Sequence, residues 1–417
     1  MTTEELDLEF NALDPAMASD PYPTYERLRA GGRVLWFPMI GGRARRQIPP
    51  DEVMPGVWAV THYDECMALL RDERMSSDPM KSELFKVLTK TMLGEDTPAI
   101  GLIKHLLLFM DPPDHTRLRS LANAAFSRKA VEELRPRIAT LVDELLDGRG
   151  EIDLVEEFAY PLPVTVIAEM LGVPVADREV FGAWSRELVD LFGTEEVSTE
   201  STERGNKAIV AMNDYFTGLA EERRRSPRDD LLTAFVEVED QGERLTHEEL
   251  LATCLILLIA GHETTANLIG LGTLALLRDP ATLARLREEP GLVSSAVDEL
   301  LRYDSPVQAT ARTTLAPIAV AGTTIPEAER VLVLLGAANR DPDRFADPDR
   351  LIPERSPNPH FSFGGGIHFC LGAPLARLEA RLAFAKLVTL PLELVSDDLE
   401  WRRTFPIRGL RSLRVTL

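Results

Sequence analysis

The stretch FGGGIHFCLG, residues 363–372, is followed at once by APLARLEARLAFAKL, a strongly amphipathic helical pattern. Its three successive glycines predict a tight, exposed loop. Cys370 stands just before the predicted helix amino terminus, where backbone N–H groups and the helix dipole favour the thiolate over the thiol. We therefore interpret Cys370 as a metal ligand or a nucleophile, the alternative being a buried, inert cysteine.

Spacing disfavours other chemistries for this loop. No second Cys or His lies nearby at a zinc-ligand spacing, and Phe369 occupies the third glycine position of a dinucleotide-binding G-x-G-x-x-G loop. The chain has three cysteines, Cys66, Cys254 and Cys370, and this odd, widely spaced set predicts no disulfide framework. A reducing, cytoplasmic compartment is therefore expected.

The longest predicted helix lies upstream of this loop. Thr246 and Glu249 form a capping box, and the next firm stop is Asp279 before Pro280. A helix of about thirty-two residues would be nearly 50 Å long. Its middle, GHETT at 261–265, contains glycine and β-branched residues that are weak helix formers, and such a local conflict is typical of a functional segment.

Composition narrows the class of partner. The 417 residues include 46 Lys and Arg against 67 Asp and Glu, a net charge of −21 at pH 7. This charge repels phosphate backbones, so no nucleic-acid partner is expected. The amino terminus, MTTEELDLEF, is acidic and lacks the apolar run of a secretory signal. Because the apolar run at 250–261 is too short to span a bilayer, no membrane anchor is expected.

Periodicity predicts a helix-dominated chain with a minor β region. Predicted helices include 130–146, 161–171 and 205–225. Predicted strands are 57–60, 318–320, 331–335 and 413–415. Repeated prolines predict an ordered coil over 337–366. Since no repeat, low-complexity tract or long linker marks a boundary, we predict one domain over 1–417.

The glycine-rich loop resembles the cysteine-ligand loop of the cytochrome P-450 (cytochrome P450) family, the haem-thiolate monooxygenases. The matching positions are Phe363, Gly364, Gly366, His368, Cys370 and Gly372. The resemblance covers nearly the whole chain, from 20–22 to 406–410. It implies a single triangular cytochrome P-450 fold, mostly α with a minor β region and a long central helix over haem.

The resemblance also implies a cofactor and its anchors. Haem b (iron protoporphyrin IX) would be bound through the thiolate of Cys370, with O2 as co-substrate, because thiolate ligation favours O–O cleavage. The segment DPPDHTRLR, residues 111–119, resembles the family's propionate-binding segment. The four implied propionate donors are His115, Arg119, Arg312 and His368.

Two further motifs agree with this resemblance. Glu263 and Thr264 resemble the family's acid–alcohol pair, which delivers protons during oxygen activation in a dry pocket. Glu299, Arg302 and Arg355 resemble a buried structural network that holds the coil beneath the Cys370 loop. Ser356 stands where the family usually has Phe.

The expected activity is insertion of one oxygen atom from O2 into a small or medium hydrophobic substrate, by hydroxylation or epoxidation. Fatty acids, terpenoids or steroids, and macrolide-like polyketides all remain open. Electrons would come from a separate ferredoxin and its reductase, and so indirectly from NAD(P)H. The positions expected over the iron are Leu257, Ala260, Val307 and Ile407. Two alternatives are a peroxide-driven haem-thiolate enzyme and a non-catalytic haem-binding sensor.

We expect this acidic protein to be a monomer. An acidic ferredoxin would need a local basic patch on the Cys370 side of the protein. The candidate docking residues are Arg117, Arg128, Lys129, Arg377 and Arg381.

Overall fold

A computed structural model describes residues 8–11, 14–38, 56–86, 89, 97–193, 198–240 and 245–417. The chain divides into two compact units. The first contains the described parts of 1–89 with 294–370 and 401–409, and the second contains the described parts of 90–293 with 371–400 and 410–417. The single domain over 1–417 stays a prediction.

Helices dominate both units. They are α1 (Pro15–Ser19), α2 (Tyr22–Gly31), α3 (Tyr63–Arg71), α4 (Pro98–His105), α5 (Asp114–Ala125), α6 (Arg128–Glu133), α7 (Arg135–Leu146), α8 (Pro161–Met170), α9 (Arg178–Gly193), α10 (Thr199–Arg225), α11 (Leu231–Asp240), α12 (His247–Arg278), α13 (Pro280–Glu288), α14 (Val293–Tyr303), α15 (Leu335–Ala338) and α16 (Ala373–Leu387). Short 3₁₀ turns occur at Pro79–Lys81, Leu107–Phe109, Val175–Asp177, Pro290–Leu292 and Gly366–His368, and a π turn at Val155–Ala159.

The strands are short. They are β1 (Val34–Pro38), β2 (Gly56–Val60), β3 (Met75–Ser76), β4 (Glu151–Asp153), β5 (Thr310–Thr314), β6 (Ile318–Val320), β7 (Thr323–Ile325), β8 (Arg330–Val333), β9 (Glu393–Leu394), β10 (Glu400–Trp401), β11 (Leu410–Ser412) and β12 (Arg414–Thr416). In the first unit five strands form one sheet in the order β1-β2-β8-β5-β3. In the second unit β12 pairs antiparallel with β4 and β9.

The first-unit sheet packs on an aromatic core. Trp36 and Trp58, opposite each other in the antiparallel β1–β2 pair, are both buried. They belong to a hydrophobic cluster with Tyr63 of α3 and Phe361, which stands just before the glycine loop. The rings of Tyr63 and Phe361 lie 4.4 Å apart. The core thus fixes the stretch of chain that leads into the Cys370 loop.

Helix α12 forms the core of the second unit. Its predicted start and stop are confirmed: Thr246 is the N-cap of a complete capping box with Glu249, and Asp279 is the C-cap. Among the described helices α12 alone is long and apolar enough to cross a membrane, and 72% of its most apolar window is buried inside the protein. That burial is typical of a core helix.

Other boundaries differ from the sequence predictions. The predicted helix over 130–146 is two helices, α6 and α7. Leu134 is the C-cap of α6, and Pro136 lies in the first turn of α7, where proline is tolerated. The strand predicted over 331–335 ends at Val333, and Leu335 already belongs to α15. Strands β2, β6, β8 and β12 were predicted, whereas the other eight described strands, among them β1 and β5, were not. The helix predicted after the glycine loop is confirmed as α16.

Candidate active site

The loop around Cys370 closes on itself in the first unit. The Cys370 N–H donates to the Phe363 carbonyl oxygen at 2.8 Å, and the Phe369 N–H donates to the Gly366 carbonyl at 3.2 Å. The side chain of Cys370 is half-buried. Along the chain Gly372, the N-cap of α16, follows two residues later. The thiol therefore sits at the end of a closed loop and just before a helix start.

Two glycines of this loop are required for different reasons. Gly364 (φ 70°) and Gly366 (φ 66°) both adopt the left-handed conformation. A Cβ on Gly364 would come no closer than 3.8 Å to any atom, that atom being the His368 carbonyl oxygen, whereas a Cβ on Gly366 would lie 2.0 Å from the Leu70 carbonyl oxygen at the end of α3. Gly366 thus lets the loop pack directly against α3.

The other two cysteines have different surroundings. Cys66 on α3 and Cys254 on α12 are completely buried, and burial raises the pKa of each thiol well above its ordinary value. Both remain thiols at neutral pH. Cys370 is the half-buried cysteine of the three and the one suited to serve as a ligand.

A buried polar cluster, which we call the serine–asparagine cluster (Ser305, Asn339 and Ser362), anchors the loop. Both hydroxyls donate to the Leu301 carbonyl of α14, at 2.8 and 2.7 Å, and both accept from Asn339 Nδ2, at 2.7 and 3.0 Å. Asn339 Oδ1 accepts from the Phe361 N–H at 2.6 Å. Sequence reasoning missed this cluster because its members lie 23 to 57 residues apart.

The acid–base network is assembled in the same unit. Glu299 and Arg302 are both 0% exposed and form two hydrogen bonds of 2.8 Å, and Arg355 Nε donates to both Glu299 oxygens at 3.0 and 3.1 Å. Arg302 also donates to the backbone carbonyls of Asn339, Pro348 and Arg350. Every polar group of the pair therefore has a partner, which a buried ion pair requires.

The first unit also concentrates positive charge at Arg312, on β5. Arg312 is 8% exposed and donates to Thr310 Oγ1 and to the Ala311 carbonyl. Burial, together with repulsion from Arg312, lowers the pKa of Arg330 on β8 to about 10. Two guanidinium groups that repel each other in a buried region are complementary to an anion such as a carboxylate. With Cys370 and His368 in the same unit, these residues fit haem, which needs one thiolate and cationic partners for its propionates.

Two predicted pocket residues meet in the first unit. Val307 and Ile407, 100 positions apart, form an isolated antiparallel β-bridge. Arg408 fastens the turn by donating to Asp304 Oδ1 at 2.8 Å, and Arg408 also stacks 4.1 Å over the Trp401 ring. Val307 and Ile407 are therefore apolar positions on chain segments that these contacts hold in place.

In the second unit, α5 carries the other two predicted propionate donors. His115 is 3% exposed, and Arg119, one turn later on the same helix face, donates from Nε to Asn123 Oδ1 at 3.3 Å. Arg117 differs: it lies 2.6 Å from Glu249 Oε1 and 3.1 Å from Asp114 Oδ1. These carboxylates offset its charge, and the contribution of Arg117 to a basic patch stays a prediction.

The middle of α12 holds the predicted acid–alcohol pair. Thr264 Oγ1 donates to the Ala260 carbonyl at 2.9 Å, and Glu263, 5% exposed, accepts on Oε1 from Asn267 Nδ2 at 3.2 Å. Asn267 was missed by the sequence reading, although its i,i+4 spacing from Glu263 was a usable signal. On the same helix Leu257 is buried, whereas Ala260 is exposed. Ala260 is thus an exposed apolar position in the otherwise mostly buried middle of this helix.

The remaining basic residues cluster in the second unit. Arg135, then Arg128 and Arg381, together lower the pKa of the exposed Glu132, so α6 and α16 bring positive charges to one area. Lys129 is 90% exposed and lies 4.0 Å from Glu133. Arg377, one turn before Arg381 on α16, is half-buried.

Comparison with known proteins gives concordant matches. A family model described as "Cytochrome P450" matches residues 96–390. The chain is 42% identical to the vitamin D(3) 25-hydroxylase of Pseudonocardia autotrophica, over 95% of this chain and 94% of that protein. It is 39% identical to the 6-deoxyerythronolide B hydroxylase of Saccharopolyspora erythraea, over 95% and 96%. The structure of the bacillaene polyketide synthase cytochrome P450 PksS of Bacillus subtilis 168 matches with a TM-score of 0.86 and 36% identity, covering 98% of this chain and 100% of that one.

Proposed function

This chain belongs to the cytochrome P450 family and is a haem-dependent monooxygenase, and from that premise we propose that it hydroxylates a bulky hydrophobic molecule of the macrocyclic polyketide class with electrons from a separate ferredoxin. The observation that carries the substrate class is the similarity to a 6-deoxyerythronolide B hydroxylase and to the bacillaene polyketide synthase cytochrome P450. The apolar character of Leu257, Ala260, Val307 and Ile407 supports a hydrophobic substrate. None of these side chains carries a charge that would select an ionised substrate.

Haem, when bound, supplies thiolate-ligated iron at which dioxygen is reduced and its O–O bond is cleaved. Cys370 would be the ligand. The closed loop holds the Cys370 backbone, and the serine–asparagine cluster holds the chain that leads into the loop, so that the sulfur is kept at one position. His115, Arg119, Arg312 and His368 would hold the propionates.

The proton-handling role falls to Glu263 and Thr264. The Thr264 hydroxyl donates its hydrogen bond to the Ala260 carbonyl. Its oxygen lone pairs are therefore available to accept a hydrogen bond from a proton donor at the oxygen site. Glu263, oriented by Asn267, would hold and pass protons from the outside. Burial of Glu263 limits the entry of bulk water.

Relatives support the substrate class. A 39% identical relative is named for hydroxylation of 6-deoxyerythronolide B, and a structural neighbour belongs to the bacillaene polyketide synthase. The named vitamin D(3) 25-hydroxylase leaves a secosteroid as the next compound class to test. A cytoplasmic location fits this proposal, since ferredoxin, reductase and NAD(P)H would be supplied there.

Ferredoxin docking would use Arg128, Lys129, Arg377 and Arg381, the basic residues that are left once Arg117 is paired. Charge reversal at Arg128 and Arg377 is expected to slow reduction by an acidic ferredoxin about tenfold or more at low salt and to flatten the salt dependence. The control is Arg137→Glu, on the second-unit helix α7 and paired with Glu169. An unchanged reduction rate and salt dependence would exclude this patch.

The decisive experiment is a binding and turnover screen. A macrolactone, a secosteroid and a long-chain fatty acid are titrated while the haem absorption shift is followed, and each is then incubated with ferredoxin, reductase and NADPH, or with hydrogen peroxide alone. We expect the macrolactone to shift the spectrum and to gain one oxygen atom only with the electron-transfer system. Product formed with peroxide alone would favour the peroxide-driven alternative, and absence of any shift or product would favour the sensor.

A further inference from the structure

Helix α12 carries a buried histidine that the proton-handling assignment does not use. His262 directly precedes Glu263 and is 0% exposed. Its Nδ1 lies 2.6 Å from the Leu258 carbonyl oxygen, one turn earlier on the same helix. Since a carbonyl oxygen can only accept, Nδ1 carries the proton of this hydrogen bond. The ring is therefore fixed in its tautomer by its own helix.

The second ring nitrogen reaches another helix. His262 Nε2 lies 3.2 Å from the hydroxyl of Ser185 on α9, which is also buried. In the neutral ring Nε2 accepts, so Ser185 donates. The two residues are 77 positions apart. This bond is a polar contact between the middle of α12 and the middle of α9.

Aromatic packing reinforces the same junction. The Tyr160 ring lies edge-on to His262 with centroids 5.0 Å apart, and the Tyr160 hydroxyl donates to the Gly182 carbonyl of α9 at 3.3 Å. Tyr160 thus contacts α9 and α12 together. The junction of Tyr160, Ser185 and His262, here called the α9–α12 link, is buried on every side by the second unit.

The Glu263–Thr264 segment lies next to the α9–α12 link. His262 Nε2 lies 4.0 Å from Glu263 Oε2, and the following Thr264 and Thr265 hydroxyls donate to the Ala260 and Gly261 carbonyls. Hydrogen bonds of this local kind loosen and bend a helix. A displacement of α9 would therefore be transmitted first to the residue beside Glu263.

We propose that His262 is a positioning residue that ties α9 to the Glu263–Thr264 segment through Ser185. Through this contact the position of α9 fixes the orientation of Glu263 and Thr264, and with it how electrons are used at the oxygen site. The functional consequence rests on the proposed function, whereas the mechanical link between the two helices does not.

The test uses three variants of the purified, haem-loaded protein and one matched control. Ser185→Ala removes only the donor, His262→Phe keeps the ring packing on Tyr160, and His262→Gln restores a polar group. The control is Thr273→Ala, because the Thr273 hydroxyl is buried on the same helix and donates only along it, to the Ile269 carbonyl at 2.7 Å.

The first measurement is amide hydrogen exchange, which needs no substrate and no turnover. We expect the exchange rate in peptides covering 178–193 and 258–266 to rise together by about fivefold in Ser185→Ala and His262→Phe. A rise of this size corresponds to the loss of one buried hydrogen bond. Thr273→Ala should affect only the region near 269–277, and His262→Gln should approach wild type. If 258–266 is unaffected in Ser185→Ala, or equally affected in Thr273→Ala, the link does not exist.

The second measurement is NADPH oxidation with a ferredoxin and reductase but without added substrate. Ser185→Ala and His262→Phe should oxidise NADPH and release peroxide about tenfold faster than wild type and Thr273→Ala, because a mispositioned Glu263–Thr264 pair wastes electrons. Raised exchange with unchanged NADPH oxidation would reduce His262 to a structural role. A wild type that shows no thiolate-type carbon monoxide spectrum would instead contradict the proposed function and leave the exchange result to decide the link.

Discussion

The Cys370 loop and the hydroxyls of Thr264 and Thr265 are held in opposite ways. The loop is fastened by contacts between distant parts of the chain, through the serine–asparagine cluster and the Glu299 network. The hydroxyls of Thr264 and Thr265 instead bond carbonyls of their own helix, one turn back. The Cys370 loop is therefore rigidly held, whereas the Thr264 and Thr265 hydroxyls can exchange hydrogen-bond partners at a small cost in free energy.

This difference matches what each region must do. A metal ligand has to be at one fixed place, so long-range bonds that oppose its movement are useful. A proton-handling group must change hydrogen-bond partners as protons arrive and leave. The Thr264 and Thr265 hydroxyls can do so by giving up bonds to their own helix, while His262 beside them holds the segment to α9. The expected effects of substitution therefore differ between the two regions, in the following order.

The largest effect is expected at the sulfur itself. Cys370→Ala should abolish the thiolate-type carbon monoxide spectrum and reduce product formation below detection, because no other half-buried cysteine is found in the described chain. The matched control is Cys254→Ala, which removes a buried thiol and should retain the spectrum. A Cys370→Ala protein with the wild-type spectrum would show that another residue ligates the iron.

The next effect tests the long-range anchorage. Glu299→Gln leaves the buried guanidinium groups of Arg302 and Arg355 without their counter-charge, and the free energy of unfolding should fall by about 3–5 kcal/mol. The exposed pair of Arg285 and Glu289 supplies the control, since Glu289→Gln should cost no more than about 0.5 kcal/mol. Equal losses in denaturant titrations of the two variants would contradict the importance assigned to the network.

The contact between α12 and α16 offers a pH test. Glu379 on α16 is completely buried near Thr265, and burial raises the pKa of its carboxyl from 4.5 to about 8. The folded protein thus keeps a proton that the unfolded chain loses above pH 4.5. Stability should fall by about 1.4 kcal/mol per pH unit between about 4.5 and 8 from this group, and Glu379→Gln should remove that component. If the free energy of unfolding depends on pH in the same way in wild type and in Glu379→Gln, the raised pKa of Glu379 is excluded.

Much of this fold follows from local sequence signals. The capping box at Thr246 and the stop at Asp279 fixed both ends of α12, and the amphipathic APLARLEARLAFAKL stretch fixed α16. Strands β1 and β5 escaped prediction because burial on both faces removes the alternating pattern in VLWFP, and TARTT contains an arginine. The Ser185–His262 and Asn339–Ser362 contacts also escaped, since pairings across distant segments leave no periodic trace.

A smaller effect separates the two left-handed glycines of the Cys370 loop. Gly364→Ala should cost about 1–2 kcal/mol from its backbone conformation alone. Gly366→Ala should cost about 1–3 kcal/mol more, because its Cβ would overlap the Leu70 carbonyl and the loop would have to move away from α3. Thermal unfolding and haem content measure both. Identical values for the two variants would mean that contact with α3 does not fix the loop.

The smallest change in stability is expected in the helix segment, with a selective effect on chemistry. Thr264→Ala removes a hydroxyl that, within the described chain, donates to the Ala260 carbonyl one turn back, so the thermal midpoint should stay close to wild type. Product formed per NADPH should nevertheless fall about tenfold, with the missing electrons recovered as peroxide, because the oxygen site loses its positioned acceptor. Thr264→Ser, which keeps the hydroxyl, should recover most of the yield. If Thr264→Ala lowered stability and left the yield per NADPH unchanged, Thr264 would belong with the rigid contacts of the Cys370 loop, and the distinction between the two regions would fail.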